Sequence, residues 1–223
     1  MNLDPGVVVA YLPAIGHGLL LTLFAWIVSS VLGIALGLGL ALAGGSRLAP
    51  LRWTVRGYIE LMRCTPILVQ LLLVYGGGPS IGLFLEPMEA GILVLTAHGA
   101  AYFAEIFRGG FAAVPAGQVE AAHSLGMHPL AILRRVTLPI ALTAALPGMI
   151  NMIINVCKET AVLSIITVPE LTFEVQKMSI ETFAAFEAIF MLAVGYWVLV
   201  ELFSVVGRAV EVRINRHLTL KEA

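Results

Sequence analysis

Charged residues are scarce in this chain of 223 residues, since Asp, Glu, Lys and Arg together make up 12% of it. A soluble domain usually carries about a quarter. Hydrophobic residues make up 59%, and the mean hydropathy is +0.96. Such a chain cannot cover a water-facing surface with polar groups, so its composition excludes an ordinary soluble domain. We therefore predict an all-α integral membrane protein.

Several kinds of chemistry are excluded by what the sequence does not contain. The Lys and Arg residues form no stripe beside stacking aromatic side chains, which argues against a nucleic-acid partner. The triple glycine at residues 76–78 is not followed by Gly-Lys-Ser or Gly-Lys-Thr, so the chain has no phosphate-binding loop. His123 and His128 offer too few ligands for a metal ion. We predict no catalytic residue, no metal site and no cofactor in this chain.

Cysteine is nearly absent. Cys64 and Cys157 both fall within apolar runs. We expect buried small side chains at both positions rather than a disulfide or metal ligands. His98 lies in another apolar run, and we expect it to be a packed or hydrogen-bonded core residue.

Five apolar runs are long enough to cross a membrane as helices. The first has about 28 residues without a charge, or roughly 42 Å of helix, for a hydrocarbon core of ~30 Å. The segment at 158–182 is too polar for a lipid-facing span, and we expect a half-helix or a surface helix there. We place the spans at about residues 16–43, 55–75, 88–107, 140–157 and 183–206, within one membrane domain of residues 1–223.

Basic residues predict the orientation of these spans. Two lysines, Lys158 and Lys177, lie on one side, Arg63 lies within a span, and all the others lie on the opposite side. The positive-inside bias therefore places the N-terminus outside and the C-terminus in the cytoplasm. The residues on the cytoplasmic side are Arg47, Arg52, Arg56, Arg108, Arg134, Arg135, Arg208, Arg213, Arg216 and Lys221.

The first span also has to be weighed as a cleaved signal peptide. Ala41-Leu42-Ala43 resembles a cleavage site. However, no basic residue precedes Arg47, and the apolar run is far longer than an h-region of roughly 7–15 residues. We expect a retained first span.

A short polar segment at residues 117–139 separates the third and fourth apolar runs. Ala and Glu residues near its start favour a helix, which Gly126 and Pro129 interrupt. A second helical piece at residues 130–136 contains two arginines and is too polar for a bilayer span. We interpret the segment as two short helices joined by a glycine turn on the membrane surface, where they would fit a socket on another protein.

Polar residues inside the second run indicate a path through the membrane. Arg63 lies about mid-span, where a charge is costly unless it faces a cavity or a partner, and Pro66 can kink the helix beside it. A guanidinium and freed carbonyl groups suit an amino acid carboxylate, but an ion pair of Arg63 with Glu60 or Glu159 explains the same residue equally well. Both interpretations stay open.

Polar residues also end the fourth run. Glu159 is suited to an amino or guanidinium group, and Asn155 and Thr160 are suited to hydrogen bonds. In the third run, Glu105 and Arg108 lie one helical turn apart, and we expect them to pair.

Four stretches carry recognisable motifs. They are Tyr58-Ile-Glu-Leu-Met-Arg-Cys-Thr-Pro-Ile-Leu-Val-Gln70, Ala101-Tyr-Phe-Ala-Glu-Ile-Phe-Arg-Gly-Gly110, Gly117-Gln-Val-Glu-Ala-Ala122 with Gly126 and Leu138-Pro139, and Lys158-Glu-Thr160. Their order and spacing resemble those of polar amino acid permeases of ATP-binding-cassette (ABC) importers, the His/Glu/Gln/Arg/opine type. The resemblance covers about residues 16–206. Two motifs differ, because Arg-Gly-Thr-Pro reads Arg-Cys-Thr-Pro at 63–66 and Lys-Asp/Glu-Thr-Ser-Leu reads Lys-Glu-Thr-Ala-Val at 158–162.

The resemblance implies a type I ABC importer permease fold, with five transmembrane helices and a cytoplasmic coupling helix. It implies a bacterial inner-membrane homo- or heterodimer of permeases, an ABC ATPase dimer that binds ATP and Mg²⁺, and an external binding protein that delivers a polar amino acid. By the same resemblance, the ATPase-coupling residues are Glu120, Ala121, Ala122 and Gly126, and the substrate-path residues are Arg63, Thr65, Pro66, Asn155, Glu159 and Thr160.

Two other functions are weighed against this one. An ion-coupled secondary carrier would act without an ATPase, but such carriers usually contain duplicated halves, and five spans without an internal repeat argue against it. An intramembrane enzyme has no His-Glu metal motif to support it. The importer interpretation needs its energy from another polypeptide.

Overall fold

The computed structural model describes residues 5–219, although not the side chains of residues 5, 7 and 215–219, and Lys221 lies outside the described residues. Within this range the chain forms α-helices and no strand. The helices are α1 (Pro5–Gly44), α2 (Ala49–Cys64), α3 (Ile67–Tyr75), α4 (Pro87–Ala112), α5 (Ala116–Ser124), α6 (Pro129–Ile132), α7 (Leu138–Glu159), α8 (Leu171–Thr182) and α9 (Ala185–Thr219).

Four helical segments are long and apolar enough to cross a membrane, and a fifth span is obtained if α2 and α3 are counted together as one broken span. The five predicted spans therefore have counterparts, but the helices extend beyond the predicted bounds. The apolar segments are Val8–Gly44, Pro87–Ala112, Pro129–Ile166 and Ala185–Ile214, with Ala49–Cys64 plus Ile67–Tyr75 as the broken pair.

The second span is broken rather than gently kinked. The axes of α2 and α3 differ by 105°. Pro66 has no N–H to bond the carbonyl of Met62, and its ring forces the preceding residue into an extended conformation. Thr65 accordingly has φ −112° and ψ 138°. The predicted span at 55–75, with its kink at Pro66, is therefore corrected to two helices with a corner at Thr65–Pro66.

The fourth span begins earlier than the sequence suggested. We expected a separate surface helix at 130–136, but α6 continues through a π-helical turn, Leu133–Thr137, directly into α7. In a regular α-helix the ring of Pro139 would clash with the carbonyl of Arg135, and the wider turn just before Pro139 relieves that clash. The second half of the 117–139 segment is thus the first part of a long helix.

Helix α4 lies at the centre of the molecule and packs against α1, α2, α3 and α7. Helix α1 lies very close to it, because a Cβ added at Gly37 would lie 2.6 Å from Cβ of Phe103 and 2.9 Å from the backbone oxygen of Ala100. A glycine is required at this helix crossing. Helix α9, in contrast, is mostly exposed, with apolar side chains such as Trp197 and Val198 facing outward.

The polar region after α7 is folded into the helical packing. A 3-10 turn at Thr160–Ile166 leads to α8, whose Leu171, Val175 and Met178 are buried. Neither a half-helix nor a surface helix describes it fully, since α8 packs against both α1 and α9. Of the two cysteines, Cys157 is buried as predicted, whereas Cys64 is exposed at the end of α2, so the prediction of burial is wrong there.

Candidate functional site

One face of α4 carries polar side chains through an otherwise apolar helix. His98, Tyr102 and Glu105 are spaced four and three residues apart, which places them on the same face. Helix α2 lies beside this face, since Nη1 of Arg63 is 3.4 Å from Oε2 of Glu105. The site is therefore built between the central helix and the corner of the broken span.

Gln70 on α3 covers the backbone exposed by that corner. Its Nε2 donates to the backbone oxygen of Met62 at 2.9 Å, which is the carbonyl that Pro66 cannot bond. The same nitrogen lies 3.1 Å from the backbone oxygen of Thr65 and 2.8 Å from its Oγ1. One buried amide thus compensates for the hydrogen bonds lost at the break.

His98 joins Gln70 to the end of α7. Its Nδ1 is 3.1 Å from Oε1 of Gln70, and its Nε2 is 3.7 Å from Oε1 of Glu159. His98 is buried, as predicted for a hydrogen-bonded core residue. The chain of contacts from Thr65 through Gln70 and His98 to Glu159 connects two of the predicted path residues, which lie on different helices.

The predicted residues near the end of α7 do not all face the same way. Asn155 is exposed, and it shares its helix face with the exposed side chains of Asn151 and Lys158. Glu159 is half-buried, and its Oε2 is buried without a hydrogen-bond partner among the described residues. Thr160 is fully buried, and its hydroxyl donates to the backbone oxygen of Cys157 at 2.7 Å.

Arg63 has a different ion-pair partner from either one expected. Its guanidinium contacts Glu105 rather than Glu60 or Glu159, and it lies over the ring of Tyr102 at 5.6 Å. Glu105 also accepts two hydrogen bonds from Arg108, at 2.9 and 2.7 Å, which confirms that predicted pair. One carboxylate is therefore shared by two guanidinium groups.

A cavity of about 740 Å³ lies between α1, α2 and α4. Leu133, from the π-helical turn after α6, is part of its wall, so the cavity is at the end of the molecule that carries the 117–139 segment. Its wall combines apolar residues from the end of α1 with charged residues, namely Arg56, Glu60, Arg63, Glu105 and Arg108.

The 117–139 segment presents a glycine turn with an exposed tip. Gly126 has φ 72°, a conformation that glycine adopts without strain, and it follows Leu125, which is 81% exposed. Glu120 and Ala121 are exposed on α5, whereas Ala122 is buried and supports the turn from inside. The segment thus presents Glu120, Ala121 and Leu125 together as exposed side chains beside the turn.

Sequence reasoning missed one polar residue that the structure brings to the site, and it gave another only a core role. Gln70 was visible as the one amide side chain in α3, four positions after a proline that frees a carbonyl. His98 was expected to be a core residue, and its spacing with Tyr102 and Glu105 could have placed it on the polar face of α4. In both cases helical periodicity within an apolar run was the available signal.

Other chemistries find little support. Ser80 lies in a Gly-x-Ser-x-Gly pattern at 78–82, but this pattern forms a 3-10 turn, Gly78–Ile81, rather than the strand-to-helix turn of a serine nucleophile. Among the side chains that the structure describes, no group of three or more from His, Cys, Asp and Glu is arranged to hold a metal ion.

Comparison with known families gives a match over most of the chain. Residues 31–216 match the model of a family described as "Binding-protein-dependent transport system inner membrane component". This range begins within α1 and includes α2 to α8 and most of α9.

Individual proteins with known descriptions are similar over nearly their full lengths. The arginine transport system permease protein ArtQ of Bacillus subtilis is 32% identical over 96% of this chain and 99% of its own length. The L-cystine transport system permease protein TcyB of the same organism is 32% identical over 94% of this chain and 90% of its own. A crystal structure described as an amino acid ABC transporter with histidines has 36% identity and a TM-score of 0.90, covering 96% of this chain and 100% of that one.

Proposed function

The chain belongs to the family of binding-protein-dependent transport system inner membrane components, and we propose that it is the permease subunit of an ABC importer that translocates a polar amino acid. The related permeases are described for arginine and for cystine, and both of these amino acids are polar. The proposal includes a multi-pass location in the bacterial inner membrane with the N-terminus outside.

The observation that carries the proposal is the glycine turn of the 117–139 segment. Leu125 and Gly126 form an exposed tip on a chain that has no phosphate-binding loop. Such a chain needs a separate ATPase, and the tip, with Glu120 and Ala121 beside it, is the surface that would dock on one. Most basic residues lie at the same end of the helices, which supports a cytoplasmic location for the tip.

The proposed substrate path runs along the polar face of α4. The Thr65 corner and Glu159 line its middle, and the pair of Arg63 with Glu105 lines the cavity toward the 117–139 segment. Arg63 and Glu159 offer opposite charges, which suit the carboxylate and the ammonium of an amino acid. Alternating access requires two packings of similar free energy, and the corner at Thr65–Pro66 is the place where these helices are not continuous.

The proposal assigns the remaining partners as well. A second permease subunit, either a copy of this chain or a sister chain, would cover the exposed polar face that contains Asn151 and Asn155. Two ATPase subunits would supply ATP hydrolysis with Mg²⁺, and an external binding protein would deliver the amino acid.

Reconstitution tests the proposal directly. The permease complex with its ATPase and binding protein would be placed in liposomes, and uptake of labelled L-arginine, L-cystine and L-glutamine would be measured with and without ATP. We expect ATP-dependent uptake of at least one of them. Uptake by the permease alone, driven by an ion gradient, would instead establish that the protein is an ion-coupled secondary carrier.

Variants in the 117–139 segment test the role of the tip. Leu125→Glu places a charge in the expected contact, and Gly126→Val strains the turn, so both should release the ATPase during purification and abolish uptake. The control is Gln176→Ala, because Gln176 is exposed on α8 and lies outside this segment. This variant should keep both the bound ATPase and uptake. An ATPase that stays bound in both tip variants would contradict the assignment.

Arg63→Ala tests the path without touching the tip. Uptake should be lost while the ATPase remains bound, because the guanidinium on the path is removed and α5 is unchanged. The matched control is Arg213→Ala on α9, whose exposed side chain is not part of the cavity wall. Uptake at the wild-type rate in Arg63→Ala would remove Arg63 from the path.

A further inference from the structure

The contact between Gln70 and His98 determines which nitrogen of the histidine carries a hydrogen. Gln70 Nε2 faces the backbone oxygens of Met62 and Thr65, which only accept hydrogen bonds, so the amide nitrogen and not the amide oxygen lies there. Oε1 of Gln70 then faces His98 Nδ1 at 3.1 Å and can only accept. His98 therefore donates from Nδ1.

The other nitrogen of His98 faces a carboxylate. A neutral histidine with its hydrogen on Nδ1 has a lone pair on Nε2 and no hydrogen there. Nε2 lies 3.7 Å from Oε1 of Glu159, so two acceptors stand opposite each other at a distance too long for a direct hydrogen bond. Oε2 of Glu159 is buried without a partner among the described residues. Two such acceptors repel unless a proton or a cation lies between them.

We propose that His98 Nε2 and the Glu159 carboxylate together hold one positive charge, which is a proton in the unloaded permease and a positively charged nitrogen of the substrate in the loaded one. This inference rests on the proposed substrate path. An ammonium or guanidinium beside the gap lies within roughly 2.9 Å of both acceptors and donates a separate hydrogen to each. For each cation that enters, one N–H or O–H bond of the pair breaks and its proton passes to water, so the total charge at the pair is the same in both states.

The other carboxylate on this face of α4, that of Glu105, is already paired with the guanidinium groups of Arg63 and Arg108. Helix α1 contains His17, but it is sixteen residues, or about 24 Å of helix, from Gly33, which packs on Phe103 of α4. The titratable and charged groups on the elements around the pair are Tyr11 and His17 on α1, Arg52, Arg56, Tyr58, Glu60, Arg63 and Cys64 on α2, Tyr75 on α3, Glu89, Tyr102, Glu105 and Arg108 on α4, and Cys157 and Lys158 on α7.

Release of one proton makes substrate affinity depend on pH with a definite sign. At low pH the proton competes with the substrate, so affinity is weaker, and it strengthens as pH rises until the unloaded pair has lost its proton. In the range where the unloaded pair keeps its proton, affinity should rise about tenfold for each pH unit. A site that binds its substrate without proton exchange has no such slope.

The experiment measures equilibrium binding of labelled ligand to the purified permease–ATPase complex in detergent, between about pH 5.5 and about pH 8. The probes are L-arginine, L-citrulline, which lacks the charged guanidinium, and 5-guanidinopentanoate, which lacks the α-amino group. If L-citrulline keeps the slope and 5-guanidinopentanoate loses it, the α-ammonium is the cation at the pair. The reverse result identifies the guanidinium. Either result supports the proposal.

Variants separate proton exchange from a structural role. Glu159→Gln should weaken binding at least tenfold and remove the slope. His98→Asn leaves Glu159 as the only proton acceptor, so the sloped range should move to lower pH by at least one unit, which a merely structural histidine would not cause. His17→Gln is the matched control and should keep the wild-type profile.

The failure of this inference differs from the failure of the proposed function. Affinity for L-arginine and L-citrulline that does not change with pH, or no binding of either, overturns the proton exchange even if ATP-dependent uptake is observed. Wild-type uptake that does not require ATP overturns the proposed function instead. Retention of the full slope in Glu159→Gln would also overturn the inference, because the proton would then belong to another group.

Discussion

Glu159, half-buried at the end of α7, and Glu170, buried at the start of α8, lie in sharply different surroundings. Glu170 is fully buried, and its carboxylate accepts from the backbone N–H of Thr172 and of Phe173, both at 2.9 Å. The hydroxyls of Thr22 and Tyr196 donate to it as well, each at 3.3 Å. The carboxylate of Glu159 has one oxygen near His98 and the other without a partner in the described part of the chain.

The difference separates a structural carboxylate from one that is available for a ligand. Glu170 caps α8 and ties it to α1 through Thr22 and to α9 through Tyr196, so its acceptor capacity is used within the chain. Burial raises the pKa of the Glu170 carboxyl, and the two backbone N–H groups oppose that rise. Glu159 has hydrogen-bonding capacity left over, because its Oε2 is buried without a partner among the described residues, and an unpaired buried acceptor is costly unless a ligand uses it.

Glu170→Ala should have the largest effect on stability. It leaves two backbone N–H groups and two hydroxyls without their acceptor, and each unmet buried donor costs about 1–3 kcal/mol, so we expect a loss of about 4 kcal/mol after relaxation. The free energy of unfolding would be measured by SDS titration in mixed micelles. Gln176→Ala on the same helix is the control and should change it by less than about 0.5 kcal/mol. A loss below about 1 kcal/mol for Glu170→Ala would show that Glu170 is not a structural carboxylate, and the difference between the two glutamates would not hold.

Glu159→Gln should show the opposite pattern, with uptake reduced and stability retained. A charge-assisted hydrogen bond to the substrate is worth roughly 3 kcal/mol, so ATP-dependent uptake should fall about a hundredfold. The described residues donate no hydrogen bond to this carboxylate that the substitution would remove. The free energy of unfolding should therefore stay within about 1 kcal/mol of wild type. Glu211→Gln, near the end of α9, controls for a change of net charge. Normal uptake in Glu159→Gln would place the substrate elsewhere.

The sequence allowed one of these two glutamates to be recognised. Glu159 stood out because a carboxylate ended an apolar run, whereas Glu170 lay in a polar region and gave no sign of burial. Its role depends on Thr22, which is 148 residues away, and such a contact cannot be derived from local periodicity. The pairing of Glu105 with Arg108 was predictable because it is local to one helix.

The site shows the same limit at the broken span. Pro66 predicted a disturbance, but not a change of direction of 105°. That angle brings Gln70 to His98, and without it the partner of Arg63 could not be identified among Glu60, Glu105 and Glu159. Likewise, α6 continues into α7 through a π-helical turn just before Pro139. From the sequence, a proline at this position predicts instead that the helix ends there. Periodicity located the elements, and the angles between them determined which residues meet.

Gln70→Leu tests whether the Glu159 cluster contains a structural part. The substitution leaves the backbone oxygens of Met62 and Thr65 and the Nδ1 hydrogen of His98 without partners, so we expect a loss of about 2 kcal/mol. Gln70→Glu is the comparison, because its carboxylate still accepts from His98 but repels the two carbonyl oxygens, and it should be at least as damaging. If Gln70→Leu unfolds like wild type, the corner at Thr65–Pro66 is supported by something other than this amide.

Tyr196→Phe should give the smallest effect and the finest test of the contrast. The hydroxyl of Tyr196 contributes one hydrogen bond to Glu170 and one shared with Thr172 at 2.8 Å, while Glu170 keeps its other three donors. Removal of a hydroxyl that has well-paired neighbours costs about 1 kcal/mol, which SDS titration resolves. Among the described residues the hydroxyl of Tyr196 bonds Glu170, Thr172 and the buried Thr160 but not the Glu159 carboxylate of the proposed path, so uptake should be unchanged. Trp197→Phe, on the exposed side of α9, is the matched control and should leave stability unchanged. If Tyr196→Phe lowered uptake without lowering stability, the Glu170 cluster would itself take part in transport, and the division between the two carboxylates would fail.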